Sequence, residues 1–333
     1  MKKYGKGIAT IIYPIGATAY SNPSNVIVKV DEGGRAIVLT GTSEIGQGSD
    51  TILSQIAADE LGIPLEQVDL YSGDTRINPY DHGAGASRQT YIAGNATRSA
   101  CGKVRKILLQ TAGEVTHRYP SRLAIQDGRI IEKDSQEPIL SVADLAKEIY
   151  EEEIYPQPMA EGTYDPDVTT LDPETGQGRP FSMYTFGTQI AEVEVDDETG
   201  EVDILRVTAV HDVGVPVNPL LLEGQVIGGI SMGMGYATME EILVDTHGVQ
   251  NPNFVDYIVP TTMDMPKVQV KFLEPANGPD ISKGIGEPAT VPTAPAIANA
   301  IYDAVGVRIN TLPITPEKIW SALKANKEPG GKW

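Results

Sequence analysis

Lys283-Gly284-Ile285-Gly286-Glu287-Pro288-Ala289 sets one carboxylate in backbone that is glycine before it and proline after. Gly284 and Gly286 allow dihedrals that a residue with a Cβ resists, so the chain can pass close to a bulky ligand. Pro288 fixes its own φ and biases Glu287 toward an extended conformation. A carboxylate held on such a stiff loop suits a general base aimed at a cofactor-bound group. The segment equally fits an ordinary Gly-Pro turn carrying a solvated glutamate.

Three further stretches offer binding chemistry. Gly41 to Asp50 reads Gly-Thr-Ser-Glu-Ile-Gly-Gln-Gly-Ser-Asp and leads from a strand into a helix. Free amides at a helix start attract anions such as phosphate, and Gly46 and Gly48 flank Gln47 where a ligand could approach the backbone. The spacing fits neither a P-loop nor a dinucleotide fingerprint, and a glycine turn with a helix cap explains it as well. His82 to Thr90 is a second small-residue loop, in which Ser87, Gln89 and Thr90 offer neutral hydrogen-bonding groups and Arg88 a planar charged fork. Asn218-Pro219 opens the third, where Gln225 is followed by Gly228, Gly229, Gly233 and Gly235. Glycine costs a helix about 1 kcal/mol relative to alanine, so this run implies close packing against a ligand or another helix. The four histidines, His82, His117, His211 and His247, are scattered without zinc or di-iron spacing, and the chain has neither a cysteine-based iron–sulfur pattern nor a nucleophile elbow.

Alternating patterns predict the elements that must hold these loops. Residues 25–40 read as a hairpin turning at Asp31-Glu32-Gly33-Gly34, and a second hairpin joins 190–195 to 202–207. Helical spacing of Ile52, Leu53, Ile56 and Ala57 predicts a helix from Ser49 to Leu61, capped by Ser49 or Asp50. Further helices are predicted over about 95–118, 141–153, 219–236, 291–305 and 315–325, the last entered through Thr315-Pro316. Residues 154–182, rich in proline, glycine and acidic side chains, read as a crossing loop between two subdomains at 1–153 and 183–333. Strands and helices mix without regular βαβ alternation, which argues for an α+β fold.

Size and charge narrow the function class. A chain of 333 residues, 41% hydrophobic and 21% charged, can bury a large globular core. Its net charge of -19 leaves no cationic footprint for nucleic acid and disfavours an anionic membrane surface. Cys101 is the single cysteine, so no intrachain disulfide forms; this fits a reducing compartment, and a cytoplasmic location is expected. The most apolar window, Val226 to Met239, is broken by four glycines and is too short to span a bilayer.

Taken in order, these segments resemble the xanthine dehydrogenase/aldehyde oxidase family of molybdenum hydroxylases, and in particular the C-terminal half of its molybdopterin-binding subunit. Gly46-Gln47-Gly48 is similar to the family's first pterin-contacting loop, and Gly85-Ala86-Ser87-Arg88-Gln89 to its second. Asp212-Val213-Gly214, Asn218-Pro219 and Gly224-Gln225-Val226 resemble the third. Phe254 to Thr261 and Met263-Asp264-Met265-Pro266 match another family run, and Gly284-Ile285-Gly286-Glu287-Pro288 resembles the catalytic glutamate loop. The resemblance implies Glu287 as catalytic base, with Gly46, Gln47, Gly48, Ala86, Ser87, Arg88, Gln89, Gln225 and Gly286 at the cofactor. Tyr13 lies near where the family places an aromatic that stacks on substrate; a surface or core tyrosine fits equally. The family's catalytic subunit is about twice as long, so the chain reads as one piece of a subunit split between two polypeptides. That split resembles the nicotinate-hydroxylating branch. The implied cofactor is molybdopterin cytosine dinucleotide with molybdenum, its terminal ligand either sulfur or selenium. The implied partners are a larger molybdopterin subunit, an FAD subunit and a [2Fe-2S] iron–sulfur subunit, and the substrate a small N-heterocycle. A purine or aldehyde hydroxylase, or a non-catalytic cofactor-binding or assembly subunit, carries the same motifs.

Overall fold

A computed structural model describes residues 1–17, 19–152, 155–273 and 282–327. In chain order the strands and helices are β1 (Lys2–Pro14), β2 (Ser24–Val30), β3 (Ala36–Thr40), α1 (Ser49–Leu61), β4 (Val68–Tyr71), α2 (Gly94–Thr116), β5 (Leu123–Gln126), β6 (Arg129–Glu132), β7 (Pro138–Ser141) and α3 (Val142–Glu152). They continue as β8 (Met159–Tyr164), β9 (Tyr184–Asp196), β10 (Val202–Asp212), α4 (Pro219–Thr238), β11 (Val244–Asp245), β12 (Gly248–Val249), β13 (Lys267–Leu273), α5 (Thr293–Val305) and α6 (Pro316–Lys327). The fold is α+β. All six helices form where hydrophobic spacing places them, although the expected last residue of α3, Glu153, lies outside the described residues. The chain divides into two compact units, an N-terminal one of Pro14–Met183 with Ile281–Gly284, and a C-terminal one of Met1–Tyr13, Tyr184–Asp280 and Ile285–Trp333.

The N-terminal unit is built on the sheet β4-β3-β2-β8 and a second sheet, β5-β6-β7. Val26, Val28 and Val30 alternate inward along β2 and share the core with Ala36 and Val38 of β3. The inward face of α2 is the predicted one, with Ala100, Val104, Leu108 and Ala112 buried, and Cys101 is buried with them as a packing residue. Burial pushes its thiol pKa up, so it stays a neutral thiol. Part of the expected crossing loop is strand: β8 pairs antiparallel with β2, placing Ser24 opposite Tyr164. Gly162 makes this possible, since a Cβ there would lie 2.2 Å from the Ala96 carbonyl oxygen on α2. A short strand interrupted by glycine carries little alternating signal, which is why it reads as loop.

The C-terminal unit is built on the sheet β1-β9-β10-β13, with β9 antiparallel and β13 parallel to β10. β1, which carries no hairpin signal, joins this sheet from the start of the chain. Gly5 and Gly7 let it lie directly on α5, where Cβ atoms would fall 2.2 and 2.1 Å from the carbonyl oxygens of Ala300 and Ala296. Ala191, Val193 and Val195 of β9 and Val207 and Ala209 of β10 face the same core as Val226, Ile230 and Met234 of α4 and Ile297 and Ile301 of α5. Among the described residues no helix is long and apolar enough to cross a membrane.

Candidate functional site

In the N-terminal unit the first glycine loop closes on itself. Gly48, at φ 82, is the N-cap of α1, and neither Ser49 nor Asp50 caps the helix. Glu44 takes that place: its carboxylate accepts the backbone N–H groups of Gly46, Gly48 and Asp50 at 2.8, 3.0 and 3.1 Å, and the Ser49 hydroxyl at 3.3 Å. Partial burial pushes this carboxyl pKa up, but the donors outweigh it and hold Glu44 below the usual carboxylate range. The amides expected to attract a ligand anion are therefore already turned onto the protein's own carboxylate. The Gln47 carboxamide is turned inward too, donating to the Ser43 carbonyl, the Ser49 hydroxyl and the Gln89 side chain. Gln89 in turn donates to the same Ser43 carbonyl at 3.1 Å. What the loop presents outward is backbone: an added Cβ on Gly46, at φ 99, would meet nothing within 4 Å.

The second loop is conformationally unusual. Ala86 and Ser87 are consecutive residues in the left-handed region, with φ 48 and 51. Such backbone persists only where its surroundings over-determine it, and three contacts do so. The Gly16 N–H donates to the Ala86 carbonyl at 3.0 Å. Gly284 lies against the Ser87 carbonyl so closely that a Cβ would sit 1.7 Å from its oxygen. Arg88 anchors the far side. Its guanidinium points into the interior, 2% exposed, pairing with Asp81 at 2.5 Å and donating to the Asn22 and Pro23 carbonyls and the Ser24 hydroxyl. The sequence reading places that fork at the cofactor; the structure commits it to protein groups, so Arg88 positions the loop. A single π-helical turn, Gln89–Ala93, then leads into α2 and swings Gln89 toward Gln47. The outer glycines Gly83 and Gly85 are open, with nothing within 4 Å of a Cβ.

In the C-terminal unit Glu287 sits on the turn before α5. Its carbonyl accepts the N–H groups of Thr290 and Val291 at 3.0 and 3.2 Å. Ile285, Pro288 and Ala289 on either side are buried, while Glu287 is half-buried and Gly286 exposed. Ala289 is clamped from two directions. Gln189, fully buried on β9, donates to its carbonyl at 2.7 Å and accepts from Thr293 at 2.7 Å. Gly229 of α4 packs on it with a Cβ position 2.6 Å from the Ala289 Cβ. Gln225 lies one turn before Gly229, so α4 carries the half-buried Gln225 and the Glu287 turn on one scaffold. Asn218 caps α4 through its side chain, accepting from Leu221 N–H at 3.0 Å. Neither Gly284 nor Gly286 adopts a positive φ; Gly284 is needed for space rather than for an unusual dihedral. Tyr13 stands near the end of β1, on a different element from Gln225 and Glu287.

Glu44, Asp81 and Gln189 are not among the residues expected from the sequence. Gln189 had a visible signal: it occupies an inward strand position in phase with Ala191, Val193 and Val195. Glu44 and Asp81 lie in loops, where no periodicity marks which side chains turn inward.

Residues 1–266 match the family described as the molybdopterin cofactor-binding domain. The chain belongs to this family. It is 36% identical over 329 residues to the xanthine dehydrogenase molybdenum-binding subunit of Escherichia coli O157:H7, covering 95% of this chain and 41% of that protein. It is 32% identical to the 6-hydroxypseudooxynicotine dehydrogenase complex subunit gamma of Paenarthrobacter nicotinovorans, covering 96% and 40%. The crystal structure of quinoline 2-oxidoreductase from Pseudomonas putida 86 superposes with a TM-score of 0.85 at 29% identity, covering 98% of this chain and 42% of that one. This is thus a molybdopterin-binding chain of the xanthine dehydrogenase/aldehyde oxidase type, equivalent to the C-terminal half of the molybdenum-binding subunit, and it spans about two fifths of the length of the relatives it matches. The residues present fit a molybdopterin. In the N-terminal unit Gly46 and Gly85, and in the C-terminal unit Gly224 and Gly228 of α4, have nothing within 4 Å of a Cβ position, and backbone left open in this way lets a ligand approach closely. Among the described residues no three His, Cys, Asp or Glu side chains gather as a metal group.

Proposed function

We propose that this chain supplies part of the cofactor site and the general base of a molybdenum hydroxylase that converts nicotinate to 6-hydroxynicotinate, with water as oxygen source and NADP as distal acceptor. The observation that carries the reading is the Glu287 turn, in which buried neighbours are clamped by Gln189 and Gly229 and one carboxylate is left half-buried beside exposed Gly286. A carboxylate carried on a fixed backbone is what general base catalysis requires. The backbone at Gly46, Gly48, Ala86 and Gly286 and the side chains of Ser87 and Gln225 hold the cofactor, as molybdopterin cytosine dinucleotide. Gln47 and Gln89, tied to each other, fix the loops around it, and Arg88 fixes the Ala86-Ser87 backbone. When bound, the cofactor would supply the two-electron acceptor and activate the oxygen nucleophile, its terminal ligand either sulfur or selenium.

Glu287 holds the proton released during oxygen transfer on its carboxylate, and Tyr13 borders the substrate ring. The substrate class draws support from relatives named for xanthine, 6-hydroxypseudooxynicotine and quinoline, each of which contains a nitrogen heterocycle. A larger molybdopterin subunit completes the site, and FAD and [2Fe-2S] subunits carry electrons away. Glu287→Gln is expected to lower nicotinate turnover by about 10²–10⁴-fold while molybdenum, by elemental analysis, stays stoichiometric. Turnover within a factor of a few of the parent enzyme would remove Glu287 from the role. Selenium in the same digest tests the nicotinate assignment.

A further inference from the structure

We infer that an apolar surface formed by the outer face of α4 and the segment 252–266 docks the polypeptide carrying the rest of the molybdenum-binding subunit. The inference rests on the proposed function above, in which a larger molybdopterin subunit completes the site, and adds where that polypeptide sits. α4 buries Val226, Ile230, Met234 and Ala237 on one side. On the other it shows Met232 and Tyr236 at 67% and 60% exposure. Gly235, between them, lies against Pro260, where a Cβ would be 2.8 Å from Cδ, and the Tyr257 hydroxyl donates to Glu240 at 2.6 Å. The segment is therefore fixed beside the end of α4. Its polar side chains hold its own backbone: Asn253 accepts from Val255 N–H at 3.0 Å and Asp264 from Thr261 N–H at 2.8 Å. Phe254, Val255, Ile258 and Met263 are left facing water at 82%, 84%, 60% and 90% exposure.

Single exposed apolar side chains are ordinary. Six of them, gathered on the outer face of α4 and on the segment fixed beside its end, mark an interaction surface. The relatives indicate its occupant. The same fold makes up only 41% or 42% of their chains, so in them it is joined to more polypeptide than its own length. Charge argues against the other occupants. With a net charge of -19, and Glu240, Glu241, Asp256 and Asp264 on or beside the patch, a second copy or an anionic lipid surface would set like charges face to face. The fitting partner is apolar at its centre and basic at its rim.

The test places a benzophenone photo-crosslinker at Val255 or Met263 in the chain expressed in its own host, with the crosslinked peptides identified by mass spectrometry. The expected product joins this chain to a polypeptide similar to the part of the xanthine dehydrogenase molybdenum-binding subunit that this chain does not match. A crosslink to a second copy, to lipid or to an unrelated protein overturns the inference, as does co-purification of that polypeptide without a crosslink at either position. Val255→Asp combined with Met263→Glu is expected to reduce the co-purified partner by about tenfold or more, with the circular dichroism and elution volume of the lone chain unchanged. Full retention of the partner by that variant also overturns it. Molybdenum measured on the same preparations tests the cofactor reading separately, since a crosslinked complex devoid of the metal removes that reading and leaves the docking surface standing.

Discussion

Arg88 shows how a side chain suited to ligand recognition can serve the scaffold. Its guanidinium is 2% exposed and pairs with Asp81, whose side chain is fully buried. Breaking a buried pair from one side leaves an uncompensated charge, at a cost of about 3–5 kcal/mol, whereas removing both members costs far less. Arg88→Met is accordingly expected to destabilise the protein by that amount in urea unfolding, and adding Asp81→Asn should recover a substantial part. If the double variant is no better than the single one, the pair is not what holds the loop. Glu44 makes a related point, because it fills with a protein carboxylate the helix terminus that the glycine pattern marks as an anion site.

Among the elements, the closest approach is that of the 282–284 segment to the second loop. A Cβ on Gly284 would lie 1.7 Å from the Ser87 carbonyl oxygen, a backbone atom with no freedom to rotate away. Gly284→Ala is therefore expected to cost about 1–3 kcal/mol in denaturant unfolding and to lower activity by moving Ser87. A neutral effect on both would mean that the segments separate at little cost. Small residues recur wherever elements must touch: Gly162 on α2, Gly5 and Gly7 on α5, and Gly229 on Ala289. The glycines of α4 thus divide by face. Gly229 and Gly233 pack inward, while Gly224 and Gly228 stay open, a distinction that the sequence pattern alone leaves unresolved.

For the molecule as a whole, His211 ties stability to pH. It is fully buried on β10, its ring against Gly187, and neither ring nitrogen has a hydrogen-bond partner among the described residues. Burial pushes its pKa down to about 4 from an ordinary 6.5. The folded value is depressed, so the unfolded chain takes up the proton first as pH falls. This contribution is complete above about pH 6.5, declines between 6.5 and 4, and totals about 3 kcal/mol. His211→Phe, which keeps a planar ring on Gly187, should flatten the dependence of unfolding free energy between pH 7 and pH 5. An unchanged slope would assign the acid sensitivity to carboxylates instead. The docking surface on α4 and 252–266 belongs to the same scale, since it concerns what covers the fold rather than what builds it.

The sequence by itself determined the six helices, both hairpins, the α+β class and the family, because each rests on local periodicity or on short motifs in order. The matched helix Ser49–Leu61 and the buried stripe Ala100, Val104, Leu108 and Ala112 follow from side-chain spacing that no distant contact needs to supply. The tertiary structure decided where polar side chains point. Only packing revealed that Glu44 caps α1, that Arg88 turns inward to Asp81, and that Gln47 binds Gln89 across 42 positions of sequence. It also decided the pairing of β8 with β2 and the entry of β1 into the C-terminal sheet. Those arrangements join residues far apart in the chain, and a glycine or a loop carboxylate carries no periodic signal of the partner it will meet.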